Sequence, residues 1–148
     1  MKLFSQNKRL AKNVLLVFLV LLALHIFGMF GPYYDFTYYN TFMHFAVGAW
    51  MSSLIYLILK NKYGKELPKS MLYISIFSIL TTIGVLWEFH EFILDRAIIE
   101  NPKYLTQTSV ADTLGDLLAD MLGSLLFISA LIFRKNKKLT KQDIDFSE

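Results

Sequence analysis

Residues Val85 to Asp95 read V-L-W-E-F-H-E-F-I-L-D, three carboxylates and a histidine set among large apolar side chains. On a helix advancing ~100° per residue, Thr81, Gly84, Glu88, Glu91 and Asp95 share one narrow stripe, and His90 lies on the opposite side. A second acidic series, D-T-L-G-D-L-L-A-D-M-L-G, spaces Asp112, Asp116 and Asp120 four apart, again on one helix face. A third segment carries Asn40, Thr41, His44 and Gly48 on one face. Carboxylates from two helices with a histidine from a third make a donor set for a hard or borderline divalent cation such as Mg²⁺, Mn²⁺ or Zn²⁺. Helical bundles assemble carboxylate metal sites in this way. A cation held there polarises a phosphate ester and activates a water. The same groups can also relay protons or pass a cation.

The elements that position these residues are apolar runs. The chain has 148 residues, 55% of them hydrophobic, and a mean hydropathy of +0.43. Four segments, approximately 13–30, 41–59, 71–94 and 112–133, lack the polar face of a soluble bundle helix. Each is long enough to cross a hydrocarbon core of ~30 Å at ~1.5 Å per residue. The first is too long for a signal-peptide core, and no small-residue cleavage site follows it. The expected fold is all-α: one transmembrane domain over residues 1–148, an integral membrane four-helix bundle, with a polar and frayed cytoplasmic tail at 135–148. Proline and glycine punctuate the loops at Gly31-Pro32, Gly64, Pro68 and Asn101-Pro102. The chain has no cysteine, which excludes disulfides and thiolate metal sites. It offers no serine or cysteine nucleophile arrangement, no phosphate-binding glycine loop and no nucleic-acid surface.

Basic residues set the expected orientation. Lys2, Lys8, Arg9 and Lys12 precede the first span. Lys60, Lys62, Lys65 and Lys69 separate the second and third. Arg134, Lys135, Lys137, Lys138 and Lys141 follow the fourth. Of the 15 basic residues only Arg96 and Lys103 fall elsewhere. Both termini are therefore expected in the cytoplasm, in a multi-pass protein of the cytoplasmic (inner) membrane. In that topology His44, Glu88, Glu91, Asp116 and Asp120 converge on one layer in the outer half of the bilayer, and the inner halves of the spans carry no acid. A buried carboxylate costs about 2.5–3.5 kcal/mol on insertion scales, and no lysine or arginine lies within the spans to offset it. Protons, a cation or water must do so.

His44, Glu88, Glu91, Asp116 and Asp120 are accordingly the expected metal ligands, with Glu88 and Glu91 as catalytic candidates. Asp112, Asp95 and His25 are secondary. Asp112 also suits a helix N-cap and Asp95 a helix end, while His25 also suits a satisfied core position. His90, Trp87 and Trp50 read as interfacial or packing residues, and protonated carboxyls acting as interhelical glue are the structural alternative for the whole cluster. Gly115, Ala119 and Gly123 form a ridge of small residues that lets another helix approach, and spans two, three and four are expected to meet around Gly48, Gly84, Gly115 and Ala119.

H-F-A-V-G at 44–48, W-E-F-H-E-F-x-x-D at 87–95 and D-T-L-G-D-L-L-A-D-M-L-G at 112–123, in this order, resemble the YjdF-like family of small inner-membrane proteins. More distantly the layout is similar to the VanZ-like proteins, some associated with resistance to glycopeptide antibiotics. This chain carries Glu91 where the VanZ-like pattern has glutamine. The YjdF-like resemblance implies a bacterial-type cytoplasmic membrane protein and points to His44, Glu88, Glu91, Asp112, Asp116 and Asp120. Two functional classes follow from the residues: a metal-assisted hydrolase or transferase acting on a lipid-linked phosphate or envelope substrate, and a non-enzymatic binder or carrier of protons, cations or lipids. Membrane lipids are partners in either, and assembly into an oligomer stays open.

Reporter fusions at Lys62 and at Tyr104 should report opposite sides of the membrane, with Lys62 cytoplasmic. Two reporters on the same side would eliminate the four-span topology.

Overall fold

Local signals set the ends of four helices, α1 (Lys8–Phe30), α2 (Thr37–Tyr63), α3 (Lys69–Ala97) and α4 (Val110–Asp145). The structure is a computed structural model and describes residues 8–30, 37–64, 66–97, 107 and 109–145. Gly64 ends α2 in the left-handed conformation (φ 59°), its N–H returning to the Lys60 carbonyl at 2.9 Å, as a glycine without a Cβ readily does. Pro68 opens α3, accepting the Leu72 N–H at 2.9 Å. Ser109 caps α4: its hydroxyl accepts the Asp112 N–H at 3.1 Å. Asp112 therefore lies inside the first turn, not at the cap, where it still complements the helix dipole. The tail expected to fray continues as helix to Asp145. No glycine or proline follows Gly123, and Lys, Arg, Leu and Gln are good helix formers.

All four helices are long and apolar enough to span a membrane: Lys8–Gly28, Tyr38–Tyr63, Lys69–Ala97 and Val110–Arg134. The all-α four-helix architecture is the one the apolar runs imply. Large apolar side chains cover its outside, among them Leu15, Leu19, Leu86, Ile93, Leu118 and Leu126. Water would penalise such a surface, whereas a bilayer does not.

α2 is the central element and touches all three others, most extensively α4, whereas among the described residues α1 packs on α2 alone. The Trp50 indole N–H donates to the Val14 carbonyl at 2.8 Å, Phe18 stacks on the Trp50 ring at 5.2 Å, and the Tyr39 hydroxyl donates to the Leu24 carbonyl at 2.5 Å. Trp50 is thus the packing residue its setting suggests. His25 faces outward from α1 and joins no cluster among the described residues.

The buried stripe of α4 is Asp116, Ala119, Asp120, Gly123, Ser124 and Ile128, a helical period of three and four. Backbones cross closely here. A Cβ on Gly48 would strike the Asp120 carbonyl and approach its Cα to 2.8 Å. A Cβ on Gly123 would strike the Phe45 carbonyl and lie 2.8 Å from the Ala49 nitrogen. One turn further along, Ser52 donates to Ser124 at 2.8 Å, both fully buried. Ile55, Ile76, Leu80 and Ile128 then close that half of the bundle as an apolar core. The seam thus runs through Gly48 and Gly123, with Gly84 of α3 facing Asp120 and Leu117. Gly115, expected in the seam, has nothing within 4 Å of its Cβ position and is not part of it.

Gly115→Ala should raise stability by up to ~1 kcal/mol through helix propensity alone, whereas Gly123→Ala should lower it by about 1–3 kcal/mol through overpacking. Thermal unfolding in detergent distinguishes them. Equal responses would misplace the α2–α4 crossing.

Candidate functional site

The crossing sets His44 between two helices. His44 lies about two turns into α2, and at the same end of the bundle α4 begins and α3 finishes. Its ring faces two aspartates of α4: Nδ1 lies 3.5 Å from Asp120 Oδ2, and Nε2 lies 3.8 Å from Asp116 Oδ2. One turn before His44, the Asn40 amide donates to the same Asp116 oxygen at 2.7 Å. Asn40 and His44 share a face of α2 because they are four apart. Asp116 is 2% exposed, Asp120 7% and His44 9%.

α3 brings its stripe to this group. Gly84 admits Asp120 Oδ2, which lies 2.9 Å from the Cβ position. Any side chain at Gly84 would push the two helices apart at the level of the acids. One turn on is Glu88, 6% exposed, and then Glu91, half-buried. One ligand atom each of His44, Glu88 and Glu91 lies within 4.8 Å of the other two, the one such trio among the described residues. Asp116 and Asp120 reach the trio through the imidazole instead of joining it directly. The stripes of α3 and α4 therefore meet, with His44 of α2 as the link.

Gln107, which the sequence pattern did not single out, enters from the connection before α4. Its backbone N–H donates to Asp95 Oδ2 at 2.8 Å, and its side-chain amide donates to Glu88 Oε2 at 3.1 Å and to Thr113 Oγ1 at 2.7 Å. Asp95 thus anchors the connection. Trp87, expected to pack, donates its indole N–H to Glu91 Oε1 at 2.9 Å and tilts over the His90 ring. Thr81 returns its hydroxyl to the Phe77 carbonyl of its own helix, so its place on the stripe adds no donor to the site.

Two buried carboxylate oxygens, Glu88 Oε1 and Asp116 Oδ1, have no hydrogen-bond partner among the described residues. No lysine or arginine pairs there with Glu88, Glu91, Asp116 or Asp120 either. Buried oxygens of this kind call for protons, water or a cation.

Residues 3–137 match the family described as "Predicted membrane protein (DUF2238)". The chain belongs to this family. Over 113 residues, 74% of this chain, it is 29% identical to an uncharacterized protein of Thermotoga maritima. The matched region is 56% of that relative, so the chain spans just over half of its length. No solved structure matches the chain. Family membership and the four candidate spans together make this a multi-pass membrane protein in contact with lipid, with a buried histidine–glutamate cluster at one end of its bundle.

Asn40→Ala removes the amide donor from buried Asp116 and should destabilise the protein by about 1–3 kcal/mol, the penalty of an unmet polar group. Asp116→Asn in the same background should recover part of that loss. Additive losses in a double-mutant cycle would show that the two side chains do not act together.

Proposed function

We propose that His44, Glu88 and Glu91 bind a divalent cation, and that the chain presents this site toward the outer face of a bacterial cytoplasmic membrane. The observation that carries the reading is the approach of one imidazole nitrogen and two carboxylate oxygens, from two helices, to within 4.8 Å of one another. The unpartnered oxygens of Glu88 and Asp116 support it. In this reading Nδ1 of His44 donates to Asp120, the outer-partner arrangement that orients metal-binding histidines. Nε2 would then ligate, with Asp116 beside the imidazole at 3.8 Å. One histidine with several carboxylates suits Mn²⁺, Zn²⁺ or Mg²⁺.

The orientation rests on charge. Lys60 and Lys62 occupy the last turn of α2, the end away from His44, and the positive-inside tendency puts that end in the cytoplasm. The resemblance of the 44–48, 87–95 and 112–123 motifs to the YjdF-like proteins agrees with that compartment. A cation at this depth would meet the phosphate of a lipid-linked or envelope substrate. Held by His44, Glu88 and Glu91, it would supply Lewis acidity toward a phosphoryl oxygen and a water. A carrier of protons or ions is the other class the residues allow. Its path would have to cross the opposite half of the bundle, where Ser52 and Ser124 bond each other above the Ile55, Ile76, Leu80 and Ile128 core. That closure favours a binding or catalytic site over a through-path.

Mn²⁺ should stabilise the purified protein in a concentration-dependent way, by about 2.7 kcal/mol at a hundredfold excess over Kd, and chelation should reverse the gain. Glu88→Gln should abolish the response. Stability that follows pH and ignores Mn²⁺ would mean that shared protons, not a cation, occupy the cluster.

A further inference from the structure

A groove of about 370 Å³ runs between α3 and α4 beside the cluster, within the range of about 300–1,000 Å³ typical of small-molecule pockets. Its walls are Val85, Phe89 and Phe92 of α3 and Val110 and Leu117 of α4. Phe89, Phe92 and Val110 are 61%, 47% and 78% exposed, so the groove opens onto the surface that a bilayer covers. It also has a direction. Phe92 and Val110 lie toward the end of the bundle that holds the site. Val85 and Leu117 lie about two turns deeper, ~10 Å at the helical rise. A hydrocarbon chain anchored at a membrane interface descends along that line.

The groove is apolar except at Glu88, Gln107 and Thr113. Glu88 belongs to both the groove and the cluster, it is 94% buried by its 6% exposure, and its Oε1 is unpartnered. Gln107 and Thr113 hold the other oxygen's side of the groove through the shared amide. An apolar slot open to lipid, ending on an acceptor-rich cluster, fits an amphiphile better than a free ion or a peptide. An anionic head cannot approach these carboxylates directly and needs a cation between them.

We propose that the α3–α4 groove seats one acyl chain of an anionic membrane phospholipid with a terminal phosphate, which is held over Glu88 by the cation of the His44–Glu88–Glu91 cluster. The headgroup half of this proposal rests on the cation reading above, and the chain half does not. The ligand of the site thus enters sideways from the bilayer.

The test uses the full chain in phosphatidylcholine vesicles containing a small share of phosphatidic acid with a photoreactive diazirine in one acyl chain, with Mn²⁺ or with chelator. Mass mapping should concentrate the label on residues 85–92 and 110–117. Mn²⁺ should raise it several-fold for phosphatidic acid and leave a matching phosphatidylcholine probe unchanged. Val85→Trp, which fills the deep end, should cut groove labelling several-fold while keeping Mn²⁺ stabilisation, a check that the variant folds. Glu88→Gln should remove the Mn²⁺ effect. Label spread evenly over the outer faces of α1, α3 and α4 would overturn the chain site. Groove labelling indifferent to Mn²⁺, in protein that Mn²⁺ still stabilises, would overturn the headgroup contact. Groove labelling in protein that Mn²⁺ does not stabilise would support the chain site and overturn the cation reading.

Discussion

The burial of the α4 acids against His44 depends on how closely α2 and α4 approach. In a bilayer, apolar side chains gain little by leaving lipid for another helix, so association relies on van der Waals packing and interhelical hydrogen bonds. Gly48 and Gly123 permit that packing because any Cβ there would meet the other helix's backbone. The same approach puts His44 against Asp116 and Asp120, lets Ser52 reach Ser124, and shields the acids of α4 from lipid. Gly84 extends the arrangement to α3 by leaving room for the Asp120 carboxylate. Without these contacts the carboxylates would face hydrocarbon, where each is costly.

The bundle is polar at one end and dry at the other. The α2–α4 seam passes from Asn40 and Asp116 through His44 and Asp120 to the serine pair, and then into the isoleucine and leucine core. Donor density falls along the same line. α1 contributes nothing to this gradient. It is held by Trp50 and Tyr39 of α2, with its own Phe18 stacked on the Trp50 ring, and its outer surface is apolar throughout its middle. It shields α2 from the membrane without entering the site, which is why its histidine stays outside the cluster.

Much of this was legible in the residues. Apolar runs of spanning length announce four helices, and four-residue spacing puts Glu88 beneath Gly84 and Asp116 beside Asp120. His44 stands out because a lone histidine shares a face with Asn40 and Gly48. The register of the helices was less legible. Gly115, Ala119 and Gly123 are equivalent by spacing, and only the partner's backbone, Phe45 and Ala49 against Gly123, makes that position the close contact and leaves Gly115 outside it. Gln107 gave no signal, because a residue in a connection obeys no periodicity and its contacts follow from where the loop returns. Ser109 and Asp112 are both good caps by type, and the first hydrogen bond of the helix decides between them. Thr81 shows the limit of a stripe: its hydroxyl satisfies itself on its own helix.

The chemistry of the site is constrained by its balance of donors and acceptors. Glu88, Glu91, Asp116 and Asp120 bring two acceptor oxygens each. Facing them among the described residues are the amides of Asn40 and Gln107, the indole of Trp87 and one imidazole. The donors are each directed at a single carboxyl group, apart from the imidazole, which adjoins two. The shortfall falls on Glu88 Oε1 and Asp116 Oδ1, on side chains of two helices. Whatever completes the site must therefore bring positive charge or hydrogen-bond donors. A proton meets the shortfall at one oxygen or is shared between two, which couples the carboxyls in pairs. A divalent cation would meet several oxygens at once. The close Gly48–Asp120 backbone contact fixes where α4 presents its acids, whichever of the two completes the site.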